Sequence, residues 1–213
     1  TVKPKKWPNY LNQYFEEPVF LIINMPKILA FSGSARKESY NQKLVLIAAL
    51  GAEQAGAEVT IVNLADYPLP IFNQDLEKTE GMPPPAQALK ALFIEHDGLL
   101  IASPEYNSAF SPLLKNALDW VSRKEGDETY QLAFRDKLAV IMSASPGALG
   151  GMRGLVFLRM LLGNMGINVL PNQQTVGHAD QAFDNDGHLL DESKQAAVSQ
   201  LGKTLAQYLE KLT

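Results

Sequence analysis

Short unbroken apolar runs alternate along this chain with longer stretches whose apolar positions recur every three to four residues, and the alternation begins at Lys27. Ile28-Leu29-Ala30-Phe31 is continuously apolar and ends in Ser32-Gly33-Ser34, the pattern of a strand buried on both faces and followed by a loop. Leu44, Ile47, Ala48, Gly51 and Ala55 then fall on one face of a helix, with Gly56 as its stop. Val59-Thr60-Ile61-Val62 predicts a second strand. A proline-rich loop is expected from Tyr67-Pro68-Leu69-Pro70 to Pro83-Pro84-Pro85, and a short helix from Ala86 to Ile94. Gly98-Leu99-Leu100-Ile101-Ala102 reads as the third strand, and Pro112 opens a helix running from Leu113 to Val121. Leu138-Ala139-Val140-Ile141-Met142 is the fourth strand, Leu155 to Leu162 a helix, and Asn168-Val169-Leu170 a short fifth strand. Val198, Leu201, Leu205, Tyr208 and Leu212 form one stripe of a last helix.

A repeating β-α order of this kind predicts a parallel sheet covered by helices on both faces. Right-handed crossovers leave few topologies open. Ligands in such sheets bind beyond the carboxyl ends of the strands, where the strand order reverses. The residues that follow strands one, three and four are therefore the ones to inspect for chemistry.

Composition narrows the classes. At 213 residues the chain fits one domain with a sizeable core, and 46% hydrophobic with 20% charged residues is ordinary for a globular protein. The net charge of -4, with dispersed lysines and arginines, gives no footprint for nucleic acid. There is no cysteine, which excludes disulfides, thiolate metal sites and thiol nucleophiles and fits a cytoplasmic protein. Val19-Phe20-Leu21-Ile22-Ile23 is far short of the roughly 20 residues a membrane span needs, and no signal peptide or membrane association is expected. Residues 1 to 26 differ from the rest, with Pro4, Pro8, Pro18 and Pro26 and the aromatic anchors Trp7 and Tyr10. They are expected to form an N-terminal arm, with the fold proper starting near Met25 and the domain spanning 27 to 213. Deleting residues 1 to 24 should then leave cofactor binding intact.

Three loops carry candidate chemistry. The first, Ser32-Gly33-Ser34-Ala35-Arg36-Lys37-Glu38-Ser39-Tyr40-Asn41, joins a strand to a helix. A helix N-terminus offers unpaired N–H groups and partial positive charge, Gly33 permits close approach, Ser34, Ser39 and Asn41 can donate to phosphate oxygens, and Arg36 adds a charged donor. The loop has neither the Gly-Lys-Ser/Thr ending of a triphosphate site nor G-x-G-x-x-G. The competing reading is an ordinary loop with Ser39 as helix cap. The second loop, Ser103-Pro104-Glu105-Tyr106-Asn107, supplies an apolar wall and amide groups suited to a flat heteroaromatic ring, or else is a proline turn with Tyr106 at the surface. The third, Ser145-Pro146-Gly147 followed by Gly150-Gly151, can bring backbone donors close to a ligand, or else is a ligand-free loop. His96, His178 and His188 are far apart in sequence and predict no metal site, and Asp184, Asp186, Asp191 and Glu192 around Gly187 read as a solvated turn.

Together, Gly33-Ser34-Ala35-Arg36 with Ser39 and Asn41, Ser103 to Asn107, Leu114-Lys115-Asn116-Ala117-Leu118-Asp119-Trp120, and Ser145-Pro146-Gly147 with Gly150-Gly151 resemble the NADPH-dependent FMN reductase family over residues 27 to 210. Its members include bacterial quinone, chromate and azo-dye reductases. The resemblance implies a flavodoxin-like three-layer α/β sandwich with a five-stranded parallel sheet in the order 2-1-3-4-5, binding FMN and using NADPH. It places Ser34, Arg36, Ser39 and Asn41, with Ser32 and Tyr40 beside them, at the phosphate loop. Pro104, Glu105, Tyr106 and Asn107 fall beside the isoalloxazine ring, and Ser145, Pro146, Gly147 and Gly150 at its other polar edge. It further implies a ping-pong cycle that passes hydride from NADPH to FMN and then electrons to a quinone, free flavin, azo compound or chromate. That cycle needs no catalytic side chain. A homodimer or homotetramer is implied as well. The alternatives are a flavodoxin-type electron carrier acting with a protein partner, a phosphate binder that holds no flavin, and a structural protein on a degenerate fold. A carrier usually shows a Thr-rich phosphate loop and a more acidic surface.

Overall fold

In the computed structural model, residues 25–212 are described; the expected N-terminal arm lies almost wholly outside them. The elements in chain order are β1 (Lys27–Ser32), α1 (Tyr40–Gln54), β2 (Glu58–Asn63), α2 (Gln74–Glu80), α3 (Pro84–Glu95), β3 (Gly98–Ala102), β4 (Glu105–Tyr106), β5 (Ala109–Phe110), α4 (Pro112–Val121), β6 (Leu138–Ala144), α5 (Met152–Asn164), β7 (Asn168–Val169), β8 (Gln174–Val176) and α6 (Glu192–Glu210). The main sheet is parallel, in the order β2-β1-β3-β6-β7, with β8 also paired to β6.

Strand alternation builds three layers. Ile28, Ala30, Leu100, Val140 and Met142 face one way and pack with α1 and α6. Leu29, Phe31, Leu99, Ile101, Ala139 and Ile141 face the other way and pack with α3, α4 and α5. Side chains on successive strand residues point to opposite faces, so continuous apolar runs are what a sheet buried on both sides requires. Helices α1 and α6 touch backbone to backbone. A Cβ on Gly202 would lie 1.8 Å from the Ala48 carbonyl oxygen, and one on Gly51 would lie 2.1 Å from that of Ser199.

The expected sheet needs correction from five strands to six. β7 pairs with Leu138 and Ala139 at the lower end of β6, and β8 pairs with Met142, Ser143 and Ala144 at the upper end. Pro171, which has no N–H to give a ladder, lies between them. Arg159 fills the break, donating to the carbonyls of Val169 (3.1 Å) and Leu170 (2.8 Å) and to Gln173 Oε1 (2.9 Å). One edge position is thus occupied by two short strands. The β4–β5 hairpin stands apart from the main sheet, turning at Asn107 and Ser108 with φ of 51° and 67°.

Two further expectations change. The proline-rich stretch contains α2, which buries no residue and so has no apolar face to reveal it. In α6 the buried stripe is Val198, Leu201, Leu205 and Leu209, while Tyr208 and Leu212 are exposed. The helix turns Leu209, four residues after Leu205, onto α1's side. Among the described residues, no helix is long and apolar enough to cross a membrane.

Candidate functional site

The reversal of strand order lies between β1 and β3, and the loops after β1, β3 and β6 meet above it. They enclose a partly open cleft of about 240 Å³ lined by Arg36, Tyr40, Asn41, Pro104, Glu105, Tyr106, Ala144, Ser145 and Pro146. Eight of the fourteen residues expected at the site therefore share one cavity. Ser32, Ser34, Ser39, Asn107, Gly147 and Gly150 do not line it. The first three sit in the β1 loop behind Arg36, Asn107 at the hairpin turn, and the two glycines further along the β6 loop. Ala144 is the lining residue that pattern reasoning missed. It offers no side-chain donor, and its only signal is its place directly before Ser145 at the end of β6.

The β1 loop is held from within. Gly33 N–H donates to the Ala102 carbonyl (2.8 Å), and the Ser111 hydroxyl donates to the Gly33 carbonyl. Ser34 N–H donates to Ser32 Oγ (3.2 Å), and Arg36 N–H donates to Ser34 Oγ (3.3 Å). Ser39 caps α1 by accepting from Gln42 N–H at 3.3 Å. A hydroxyl that accepts in this way keeps its own proton for a ligand, so the capping and ligand readings of Ser39 are compatible. The N–H groups of Lys37, Glu38 and Ser39 find no partner among the described residues. They lie at the positive end of α1, the donor set an anionic group fits. The Arg36 guanidinium lies over the Tyr40 ring, 4.6 Å from its centroid, and the Phe183 ring stacks near-parallel to Tyr40 at 6.1 Å.

Asn41, which lines the cleft, also has a structural job. Its side chain is buried, with Nδ2 donating to the Ala144 carbonyl (2.8 Å) and Oδ1 accepting from Ala144 N–H (2.9 Å). β6 runs two residues beyond its last partner in β3, where Ala102 pairs with Met142. Asn41 completes the ladder that β3 leaves open. It is a strut at the cleft floor, and its second Nδ2 hydrogen has no partner among the described residues.

Glu105 is likewise engaged. Its Oε1 accepts from Arg153 Nε (2.9 Å) and ion-pairs with Arg153 Nη2 (2.7 Å), while Oε2 accepts from Gly154 N–H (3.0 Å). Its side chain is only 8% exposed. The acid therefore fastens the β4–β5 hairpin to the first turn of α5.

The β6 loop is braced from behind. Ser145 N–H donates to the Val176 carbonyl (3.0 Å), and Ala179 N–H donates to the Ser145 carbonyl (3.1 Å). Gly150, at φ 60°, would place a Cβ 2.7 Å from Gly177 N. The glycine is there for contact with β8's end as much as for a ligand. The Ser143 hydroxyl, fully buried beneath this loop, has no hydrogen-bond partner.

Other clusters have simpler roles. Asp184 accepts from the N–H groups of His188 (2.8 Å) and Asp186 (3.0 Å), and those bonds hold its carboxyl below the ordinary range. This is the solvated turn expected there. His96 is packed, with its ring nitrogens 2.7 Å from the Leu92 carbonyl and from Thr60 Oγ1. A larger groove of about 330 Å³ runs along α1 past Leu46, Leu50 and Ile61. It takes in Glu38 of the β1 loop with Lys43, Asn185, His188 and Gln195, and nothing from the loops after β3 and β6.

Comparison with known proteins supplies the family. The model of the NADPH-dependent FMN reductase family matches residues 26–181. An NAD(P)H-dependent FMN reductase of Pseudomonas aeruginosa is 32% identical over 187 residues, covering 87% of this chain and 96% of that one. An NADPH:quinone oxidoreductase of Arabidopsis thaliana is 32% identical over 199 residues, covering 92% and 98%. Among solved structures, the flavoenzyme NAD(P)H:(acceptor) oxidoreductase of Paracoccus denitrificans superposes with a TM-score of 0.71 at 26% identity, covering 88% of this chain and 98% of that one.

Proposed function

The chain belongs to the NADPH-dependent FMN reductase family, and from that premise we propose that the cleft between the β1, β3 and β6 loops is where it holds FMN. The protein is an FMN-dependent NAD(P)H oxidoreductase on a flavodoxin-like three-layer α/β sandwich. Its acceptors are quinones or flavins, and we add azo compounds and chromate as acceptors to be tested. When bound, FMN supplies the redox chemistry, taking hydride from NADPH and giving up two electrons to the acceptor.

The observation that carries the assignment is the convergence of three strand-end loops on one cleft lined by Arg36, with unpartnered N–H donors following Arg36 in the same loop. Arg36, the Ser39 hydroxyl proton and the N–H groups of Lys37 to Ser39 hold the phosphate. Pro104 and Tyr106 on one side, and Ser145 and Pro146 on the other, flank the ring. Ala144, fixed by Asn41, is the floor. The protein's part is orientation and electrostatic support, and no side chain need exchange a proton with the reacting atoms. The test is direct. Purified protein should be yellow and release FMN, its 103–108 and 144–147 amide resonances should move on FMN addition, and it should oxidise NADPH with a quinone and no partner protein. Protein that takes up no FMN, or whose shifted amides lie elsewhere, overturns the assignment, and turnover that needs a partner protein makes the chain an electron carrier.

We also assign a second copy of this chain to the outer face of α5. Leu149, Met152, Val156, Phe157 and Met160 are all exposed there, a contiguous apolar stripe beside the cleft. Self-complementary apolar faces of this kind are covered in two-fold dimers. Val156→Glu is expected to halve the mass seen by light scattering, and an unchanged mass would refute this face as the interface.

A further inference from the structure

Among the described residues, two charged side chains line the cleft, Arg36 at the α1 end and Glu105 at the hairpin end. A cap for α5 does not need a charge. The helix opens at Gly151, φ 87°, with no side-chain cap of its own, and Gly154 N–H requires only an oxygen acceptor. A glutamine at 105 would provide that oxygen with nearly the same shape. What glutamate adds is a negative charge placed against two positive ones, the Arg153 guanidinium and the N-terminal end of α5.

We propose that Glu105 is a positioning residue whose charge, balanced by Arg153 and α5, sets the reduction potential of the bound flavin. The inference rests on the cleft being the FMN site. Left uncancelled, Arg153 and the α5 terminus would present positive potential to the cleft and favour the more negatively charged, reduced flavin. Glu105 cancels that field and keeps the flavin easy to reoxidise by its acceptor. The same charge discourages a phosphate from the hairpin end, so the ligand's phosphate is directed to Arg36.

Three observations support the arrangement. The Glu105 carboxylate is nearly buried and both its oxygens are engaged, by Arg153 and by Gly154 N–H, so its charge is fixed in place. Arg153 is 60% exposed and makes no other hydrogen bond or ion pair among the described residues, so its orientation is directed at Glu105. The Glu105 Cβ lies 3.5 Å from where a Gly151 side chain would begin, which places the acid against the start of α5.

The experiment compares Glu105→Gln with Arg153→Gln by redox titration of bound FMN, with the melting temperature of each apoprotein measured in parallel. Glu105→Gln is expected to favour reduced over oxidised flavin by about three- to tenfold, a rise of roughly 15–30 mV at 29.6 mV per tenfold for a two-electron couple. Arg153→Gln, which removes a surface group and keeps the acid, is expected to shift the potential the opposite way. Both should lose a little stability, because both weaken the same pair. Shifts of opposite sign establish the electrostatic role. Potentials that stay at the wild-type value, or move together, while both melting temperatures fall would reduce Glu105 to a helix cap. Failure of the premise looks different: FMN-induced amide shifts would then be absent from residues 103–108 and 144–147 of the wild-type protein.

Discussion

Replacing Asn41 with alanine separates two accounts of the cleft. If Asn41 served the ligand's phosphate, the variant would fold as well as wild type and lose only FMN affinity. The structure gives it a further task, because Asn41 makes both hydrogen bonds that the Ala144 backbone would otherwise have received from a neighbouring strand. Ala144 is 2% exposed, so water cannot readily replace the amide. A buried donor or acceptor left without a partner costs about 1–3 kcal/mol, and two such groups with partial relaxation give about 2–4 kcal/mol. For a domain of this length each kcal/mol lowers the melting temperature by roughly 2–4 °C, so the apoprotein should melt about 5–15 °C lower. The assay is thermal denaturation of flavin-free protein, followed by FMN titration of whatever remains folded. Asn41→Asp makes a second arm: it keeps an acceptor for Ala144 N–H but sets a carboxylate oxygen against the Ala144 carbonyl, and it should be no more stable than the alanine variant. An alanine variant whose apoprotein melts within a degree of wild type, with FMN affinity reduced, would refute the strut and restore the phosphate role.

Arg36→Ala should weaken FMN binding by about 1–3 kcal/mol in a fluorescence titration, the range for losing a hydrogen bond to a charged group; unchanged affinity would mean that backbone donors alone hold the phosphate. Gly177→Ala would set a Cβ 2.4 Å from the Ala148 carbonyl oxygen, so it should displace the β6 loop and lower FMN affinity, visible as amide shifts at 145–150; wild-type spectra and affinity would show that the loop does not depend on that contact. Glu128 is held below its ordinary 4.5 by a hydrogen bond from buried Lys90 and then by the Glu125 N–H. Because its folded value is the lower one, its contribution to stability is complete above 4.5 and disappears as pH falls through the folded value. Glu128→Gln should therefore flatten the acid limb of unfolding free energy against pH below about 4.5, and an unaltered slope there would disprove the linkage.

Much of the fold was legible because the sheet is buried on both faces. That condition writes itself as continuous apolar runs at Ile28 to Phe31, Gly98 to Ala102 and Leu138 to Met142, and burial confirms each of them. Elements without such a signature escaped. α2 buries nothing, and its only marks are the Asn73 cap and the acids of its first turn. β4, β5 and β8 are two or three residues long, too short for any period to register. The site was half legible for a related reason. Position at a strand's carboxyl end is a sequence property, and it located Arg36, Tyr106 and Ser145. The partners of Asn41 and Glu105 are not such a property, since Ala144 is 103 residues from the first and Gly154 is 49 from the second. Donor chemistry singled out Asn41 and the family resemblance singled out Glu105, and neither could show the tertiary contacts that engage both side chains.

The same contacts explain how glycine-rich loops can make a preorganised site. A loop with glycines at 147, 150 and 151 would be expected to wander. Here Val176 and Ala179 clamp both backbone groups of Ser145, and Gly150 meets Gly177 at a distance no side chain permits. Those contacts require β8 to stand beside the upper end of β6, and that in turn requires the edge to break at Pro171 and resume. The irregular sixth strand is therefore part of the site's construction. It supplies the back wall that holds the β6 loop, just as Asn41 supplies the missing strand beneath it and Glu105 the tether across it. The three loops reach the cleft as fixed surfaces, which is the condition under which oriented backbone dipoles stabilise a changing charge without first having to reorganise.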